Sequence, residues 1–528
     1  MTDLSEFIKR QQEIVETIER DSQQAYWDAT VTGDSGALDR AAGLQASLDL
    51  CYSSVERRHE LLATAEPLDE SLARQRKILL DSFARAQMSP EAIYELSKRS
   101  MTVESIFANF RAKLKDVAVT DNDLKAVLRR SSDSSERREA WEASKVIGST
   151  VEGELLDLVA LRNREAQAAG YPDYYVMQIR LQELDEIELF RVLENVSRSL
   201  TPSFVEYKAG LDATLSARFG VTIDELRPWH YEDPFFQDAP SADSSLDDIF
   251  ERADLERIAS RFYQEIGLPI DHLLKRADLY ERSGKSQHAF CMAVGRGTGD
   301  IRVACNLRGT ARWMETLLHE FGHAVYDDLV DRDLPFFLRT YSHILTTEAI
   351  AEMMGRFVSN AAWLRAYAGV PAGQAAEIER QARAVSRGHL LVFTQWVQVM
   401  TQFERELYAN PSQDLNKLWW DLVETHQRLK RPEGRNEPDW AAKIHLATAP
   451  AYYHNYLLGE MMASQILRTL RSTVAGGSED RLVSDPAVGG WLAQHIFRPG
   501  SRYSWNDLIA RATGEPLNPA YLVAEVID

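Results

Sequence analysis

The stretch Thr316-Leu317-Leu318-His319-Glu320-Phe321-Gly322-His323-Ala324-Val325-Tyr326-Asp327 constrains this chain more than any other, because it sets His-Glu-x-x-His inside an uninterrupted helical pattern. Side chains four apart on a helix lie over one another, so His319 and His323 project from one face and can grip one metal ion. Glu320 follows His319 directly, which brings its carboxylate beside the metal's water and not onto the metal. Two imidazoles with a base that takes a proton from bound water form the core of a zinc hydrolase. A pair of histidines so spaced can also be a plain surface pair, so a third ligand is required. The stretch Thr346 to Gly355 reads as a second helix with Glu348 and Glu352 four apart among apolar residues. Glu348 is the expected third ligand. Glu352, one turn on, is expected to accept the second N–H of a ligating histidine. Two histidines and one carboxylate leave a fourth position open, the pattern of a catalytic site and not of a closed structural one.

The chain has 528 residues, enough for two or more ordinary domains, and an ordinary globular composition with 45% hydrophobic and 27% charged residues. Its formal net charge of −20 argues against a nucleic-acid partner and favours cationic peptides. Residues 1–10 are charged from the start, and no apolar run is long enough to span a bilayer, so a soluble cytoplasmic protein is expected. Cys51, Cys291 and Cys305 are too few and too scattered for a disulfide framework or a cysteine zinc site.

Most of the chain is helical in pattern, which predicts a mainly α fold. Residues 1–150 read as an amino-terminal helical scaffold or lid and residues 151–528 as the catalytic region. Helices are expected at about 36–64, 68–87, 90–115, 121–130, 186–219, 375–408 and 414–430, and in the stretch 155–182 a helix that ends at Ala169-Gly170-Tyr171-Pro172, a glycine stop followed by proline. Pro228 to Gln237 is aromatic-rich and turn-punctuated, and 240–245 reads as a polar loop. Strand character is concentrated just before the metal helix, where His288 to Val294 and Asp300 to Asn306 flank a glycine-rich turn as a hairpin should. Such an edge, with Ala289 on it, can hold an extended peptide by main-chain hydrogen bonds, or it can merely brace the helix. Farther on, Lys443 to Tyr456 is dense in tyrosine and histidine, the donors that a water-attacked carbonyl needs.

In their order, these residues resemble the gluzincin metallopeptidases of the angiotensin-converting-enzyme family and the related thimet oligopeptidase and oligoendopeptidase F family. The likeness runs from about Leu161 to the carboxyl end, through Leu161-Arg162-Asn163-Arg164, Gly170 to Tyr174, Asp300-Ile301-Arg302, the metal helix, Glu348 to Glu352, Trp419-Trp420, Lys443-Ile444-His445, Pro499 to Trp505 and Thr513-Gly514-Glu515. The resemblance implies a two-lobed helical ellipsoid with a deep central channel, a small hairpin beside the zinc helix, and one zinc per chain. It implies that His319, His323 and Glu348 bind zinc and that Glu320 is the general base. It makes His445 and Tyr456 donors to the substrate carbonyl and the tetrahedral intermediate, with Tyr453 alongside and Tyr452 as the alternative to Tyr453. Lys443 matches the lysine that binds a substrate's terminal carboxylate, and Gln237 is matched to a glutamine of the same pocket. Asn455 stands where the converting enzyme has a chloride-linked arginine, so chloride activation is not implied.

The reading is a zinc-dependent peptidase acting on short, unstructured peptides, releasing carboxyl-terminal dipeptides if Lys443 binds the free carboxylate and cutting internally if it does not. Its rivals are a peptide-binding protein without turnover and a biosynthetic amide hydrolase on the same scaffold.

Overall fold

A computed structural model describes residues 3–240 and 246–527, and it is mainly helical, with two short antiparallel hairpins as its only sheets among the described residues. Among the described residues no helix is long and apolar enough to cross a membrane. The expected loop over 240–245 lies, apart from Pro240, outside the described residues.

The chain divides into two compact units, each assembled from separated stretches. The first takes residues 1–87, 243–382 and 458–522, and the second takes 88–242, 383–457 and 523–528. Residue 150, where the amino-terminal region was expected to end, lies inside the helix Ser134–Ala168.

In the first unit, the opening helix Leu4–Thr32 is capped by Asp3, whose carboxylate accepts the Ser5 N–H at 3.2 Å. Its buried face of Leu4, Phe7, Ile8 and Val15 packs with Leu61, Leu79 and Phe83 and, from far along the chain, with Phe336 and Phe337. The expected helix over 36–64 is broken at Ser53 and Ser54, because the Ser54 hydroxyl accepts the Arg57 N–H at 3.2 Å and starts the helix Val55–Leu62 afresh. The hairpin stands where the alternation placed it. Phe290–Ala293 pairs antiparallel with Ile301–Ala304, Cys291 opposite Val303, and both strands pack on the helix Ala311–Leu329.

That metal helix begins at Thr310, whose side chain accepts the Trp313 N–H at 3.2 Å. It packs on the helix Ile344–Arg356, which carries Glu348. The contact is closest at Gly322, where an added Cβ would lie 2.8 Å from the Ala351 Cα. Glycine between the two histidines thus lets the second helix approach the first. Gly322→Ala is expected to lower the melting temperature. Overlap with backbone costs about 1–3 kcal/mol, more than the roughly 1 kcal/mol that alanine gains by helix propensity. A melting temperature equal to or above wild type by thermal denaturation would show that the crossing has slack.

The second unit is built on the long helices Ser134–Ala168 and Glu186–Phe219 and the carboxyl-terminal part of Ala372–Ala409. The expected helix over 90–115 ends at Asn109, and the chain turns into a hairpin, Ala112–Leu114 against Val117–Val119. Lys115 and Asp116 make that turn with φ of 51° and 65°, and the β-branched Val117 and Val119 favour the strand. In the stretch 155–182 the helix stops at Ala168, where the Ala169-Gly170 pair was expected to end it, and Asp173 caps a new one, Tyr174–Leu181, by accepting the Val176 N–H at 2.8 Å. The helix expected over 414–430 narrows to Leu415–Leu422, continues as the wider turn Val423–Gln427, and stops at Arg428 with φ of 54°.

Candidate metal centre and substrate-binding residues

Among the described residues one group of side chains has the make-up and spacing to hold a metal ion: His319, His323 and Glu348 of the first unit, with ligand atoms within 4.8 Å of one another. Each histidine Nε2 lies 3.8 Å from Glu348 Oε2. Ligands on a tetrahedral zinc with bonds of about 2.0–2.1 Å are separated by roughly 3.3–3.5 Å, so a closure of a few tenths of an ångström per pair suffices. The chemistry of the set also fits. Burial pushes Glu348 up to about 7 and Glu320 up to about 8, and a neighbouring carboxylate adds to each. Burial also holds His323 down to about 3 and lowers His319, so both imidazoles keep a free lone pair at neutral pH. Two neutral donors among carboxylates that are costly to ionise form a place where a dication offsets the desolvation.

The outer contacts are partly those expected. Glu352 Oε1 lies 3.7 Å from His319 Nδ1, near it but beyond a hydrogen bond. Thr347, which sequence reasoning passed over, puts its hydroxyl 2.7 Å from His323 Nδ1 and is buried. The sequence gives no signal for it beyond its place next to Glu348 on the same helix. Ala289 is half-buried and immediately precedes the strand Phe290–Ala293, whose outer edge has no strand partner among the described residues.

Lys443, Gln237, His445, Tyr453 and Tyr456 belong to the second unit. Lys443 is buried and its ammonium donates to Gln237 Oε1 at 2.5 Å, so two residues 206 apart in sequence meet as a pair. The rings of Trp396, Phe235 and Tyr453 stand 5.2, 5.3 and 5.6 Å from the same nitrogen. Burial brings Lys443 down to about 8, against the opposing pull of Asp233 and Asp238. Tyr453 is buried, accepts the Trp396 indole N–H at 2.8 Å, and has its ring 5.1 Å from that of His445. Tyr452 instead has its ring 5.3 Å from Tyr456, and Tyr456 is 40% exposed. Burial, with Lys443 nearby, lowers His445 to about 4, so it is neutral at working pH. Its Nδ1 is buried without a hydrogen-bond partner among the described residues. A proton on that atom would be a stranded donor, so it belongs on Nε2, and the neutral ring presents Nε2–H as a donor.

The model of peptidase family M3 matches residues 272–526, and that of angiotensin-converting enzyme matches residues 1–227. The second match takes in the amino-terminal helices, where the sequence had shown no likeness before about Leu161. Mitochondrial intermediate peptidase of Coccidioides immitis is 26% identical over 227 residues, 40% of this chain and 27% of that protein. Thermostable carboxypeptidase 1 of Pyrococcus furiosus is 23% identical over 297 residues, 52% of this chain and 57% of that protein. The matches thus span less than two thirds of either relative's length. Both family models and both relatives are of peptidases, and together they support a likeness of this chain to the gluzincin metallopeptidases of the angiotensin-converting-enzyme and thimet-oligopeptidase kind.

Proposed function

We propose that this metallopeptidase is zinc-dependent and hydrolyses short, unstructured peptides, with carboxyl-terminal dipeptides as its products. The observation that carries the reading is the convergence of His319, His323 and Glu348 with the buried carboxylate of Glu320 next in sequence to the first ligand. Zinc, when bound, supplies Lewis acidity and brings the pKa of water towards about 7. Glu320 accepts the proton of the attacking water and returns it to the leaving amine. Burial without a metal raises the Glu320 carboxyl to about 8, and a bound dication would pull it down again, so the group can accept a proton from water and give it back to the amine. Tyr456 and the Nε2–H of His445 are the donors assigned to the substrate carbonyl as negative charge develops on it.

The mode of cleavage rests on Lys443. Its ammonium is enclosed by aromatic rings and has one side-chain hydrogen-bond acceptor, the Gln237 amide oxygen, which leaves donors for a carboxylate. A charge-assisted contact of that kind is worth about 1.5–3 kcal/mol. The name of the carboxypeptidase relative agrees with recognition of a free carboxyl terminus, and the name of the intermediate peptidase leaves internal cutting as the second reading. Matched peptides with a free or an amidated carboxyl terminus decide the matter. Wild type is expected to prefer the free acid by about 10- to 100-fold in kcat/KM, and Lys443→Ala to abolish the preference. Because Lys443 is protonated below its pKa of about 8, the preference should be full at pH 7 and fade as the pH rises through 8. Equal cleavage of both peptides by wild type makes the enzyme an internal-cutting oligopeptidase.

A further inference from the structure

The loop between His445 and Tyr456 contains one residue in a conformation its side chain disfavours. Ala451 has φ of 52°, in the left-handed region that costs a non-glycine residue about 1 kcal/mol or more. Such a conformation persists only where its surroundings impose it, and here they do so at both ends of the residue. The Ala451 N–H donates to Glu404 Oε1 at 2.7 Å, and the Ala451 carbonyl accepts from Gln182 Nε2 at 2.9 Å. Gln182 then accepts from Asn455 Nδ2 at 2.9 Å through its other amide atom, so one side chain ties Ala451 to the residue just before Tyr456. Upstream, Arg162 donates to the Leu446 and Ala447 carbonyls at 3.0 and 2.6 Å, fixing the chain just after His445. Arg162 and Glu404 are buried and Gln182 is half-buried, at the end of the helix Tyr174–Leu181. All of these residues belong to the second unit.

We infer that Gln182 and Glu404 are positioning residues, which hold Ala451 left-handed and so aim Tyr456 relative to His445. The inference rests on the donor roles proposed above for those two residues. The loop keeps a strained residue with both of its backbone polar groups claimed by side chains, so the strain is held in place by contacts and not left to relax. The amide of Gln182 is suited to the task because it donates to one loop residue and accepts from another at once. Glutamate in its place keeps the acceptor for Asn455 but sets a carboxylate oxygen against the Ala451 carbonyl.

The test is a double-mutant cycle of Gln182→Ala and Tyr456→Phe, read as kcat and KM on one peptide, with zinc content measured on every variant. Gln182 is half-buried, so its truncation is tolerated better than that of Glu404, and a thermal melt followed by circular dichroism on every variant reports on intact folding. Tyr456→Phe should lower kcat by about 10²- to 10³-fold with KM little changed. Gln182→Ala should lower kcat by about 10- to 100-fold, also with KM and zinc content held, and Gln182→Glu should resemble it. The double variant should be no slower than Tyr456→Phe alone, because a misaimed hydroxyl that is absent loses nothing more. Multiplying effects, or a Gln182→Ala enzyme within twofold of wild type, would overturn the positioning role while leaving Tyr456 as a donor. Undiminished turnover in Tyr456→Phe would overturn the donor assignment and the positioning role with it.

Discussion

A Glu320→Gln enzyme should bind its zinc at full stoichiometry and lose about 10²- to 10⁴-fold in kcat, the span that a positioned general base contributes. The amide is close in size to the carboxylate, and Glu320 is not among the converging ligand atoms, so the metal has no reason to leave. What the substitution removes is the acceptor of water's proton, since an amide is not protonated at neutral pH. Elemental analysis and peptide hydrolysis on one preparation give both halves of the result. Turnover near that of wild type would place the base elsewhere. Loss of metal would make Glu320 a ligand.

His323→Ala should lose most of its zinc and with it nearly all turnover. It removes one of three protein donors and leaves Thr347 facing empty space where its hydroxyl had met His323 Nδ1. Wild-type protein stripped with a chelator should recover activity on addition of one equivalent of zinc, and His323→Ala should not. The expectation separates a metal site from a buried polar cluster, because in the latter the histidine would affect stability and leave the metal content unchanged. Zinc retained at full stoichiometry in His323→Ala would sink the ligand assignment.

The metal centre was legible in the sequence because its parts are local. Spacing of four on a helix sets His319 beside His323, and the same rule on a second helix close in sequence singled out Glu348 and Glu352. The hairpin before the metal helix was legible for the same reason, through alternation and a glycine-rich turn. Interactions across long sequence separations were not. Nothing in the periodicity around Gln182 says that its amide will meet Ala451, 269 residues on, and Thr347 offers no pattern of its own. The Lys443 and Gln237 pair came into view only through resemblance to a family, since neither residue's neighbours predict a partner 206 residues away. The helix boundaries that shifted, at Ser53, Asn109 and Leu422, are places where a capping side chain or a left-handed residue outweighed an apolar pattern that ran on past them.

The discontinuous make-up of the first unit bears on how the chain is made as well as on how it stands. Its opening helices expose Leu4, Phe7 and Phe83 until Phe336 and Phe337 exist to cover them, and Arg74 has its acceptor, the Ser501 carbonyl at 2.9 Å, 427 residues away. At a synthesis rate of about 5–20 residues per second, the wait from residue 87 to residue 337 lasts on the order of ten to fifty seconds. During that interval the amino-terminal helices have only one another to pack against and lack the Phe336 and Phe337 part of their cluster, while the stretch 88–242 is made between the two halves of the unit. The thermodynamic cost of closing so long a loop is modest, about 0.6 kcal/mol for each doubling of its length, so the finished unit suffers little for it. The burden falls on kinetics. For as long as residues 336 and 337 are missing, the apolar cluster of the opening helices stays incomplete.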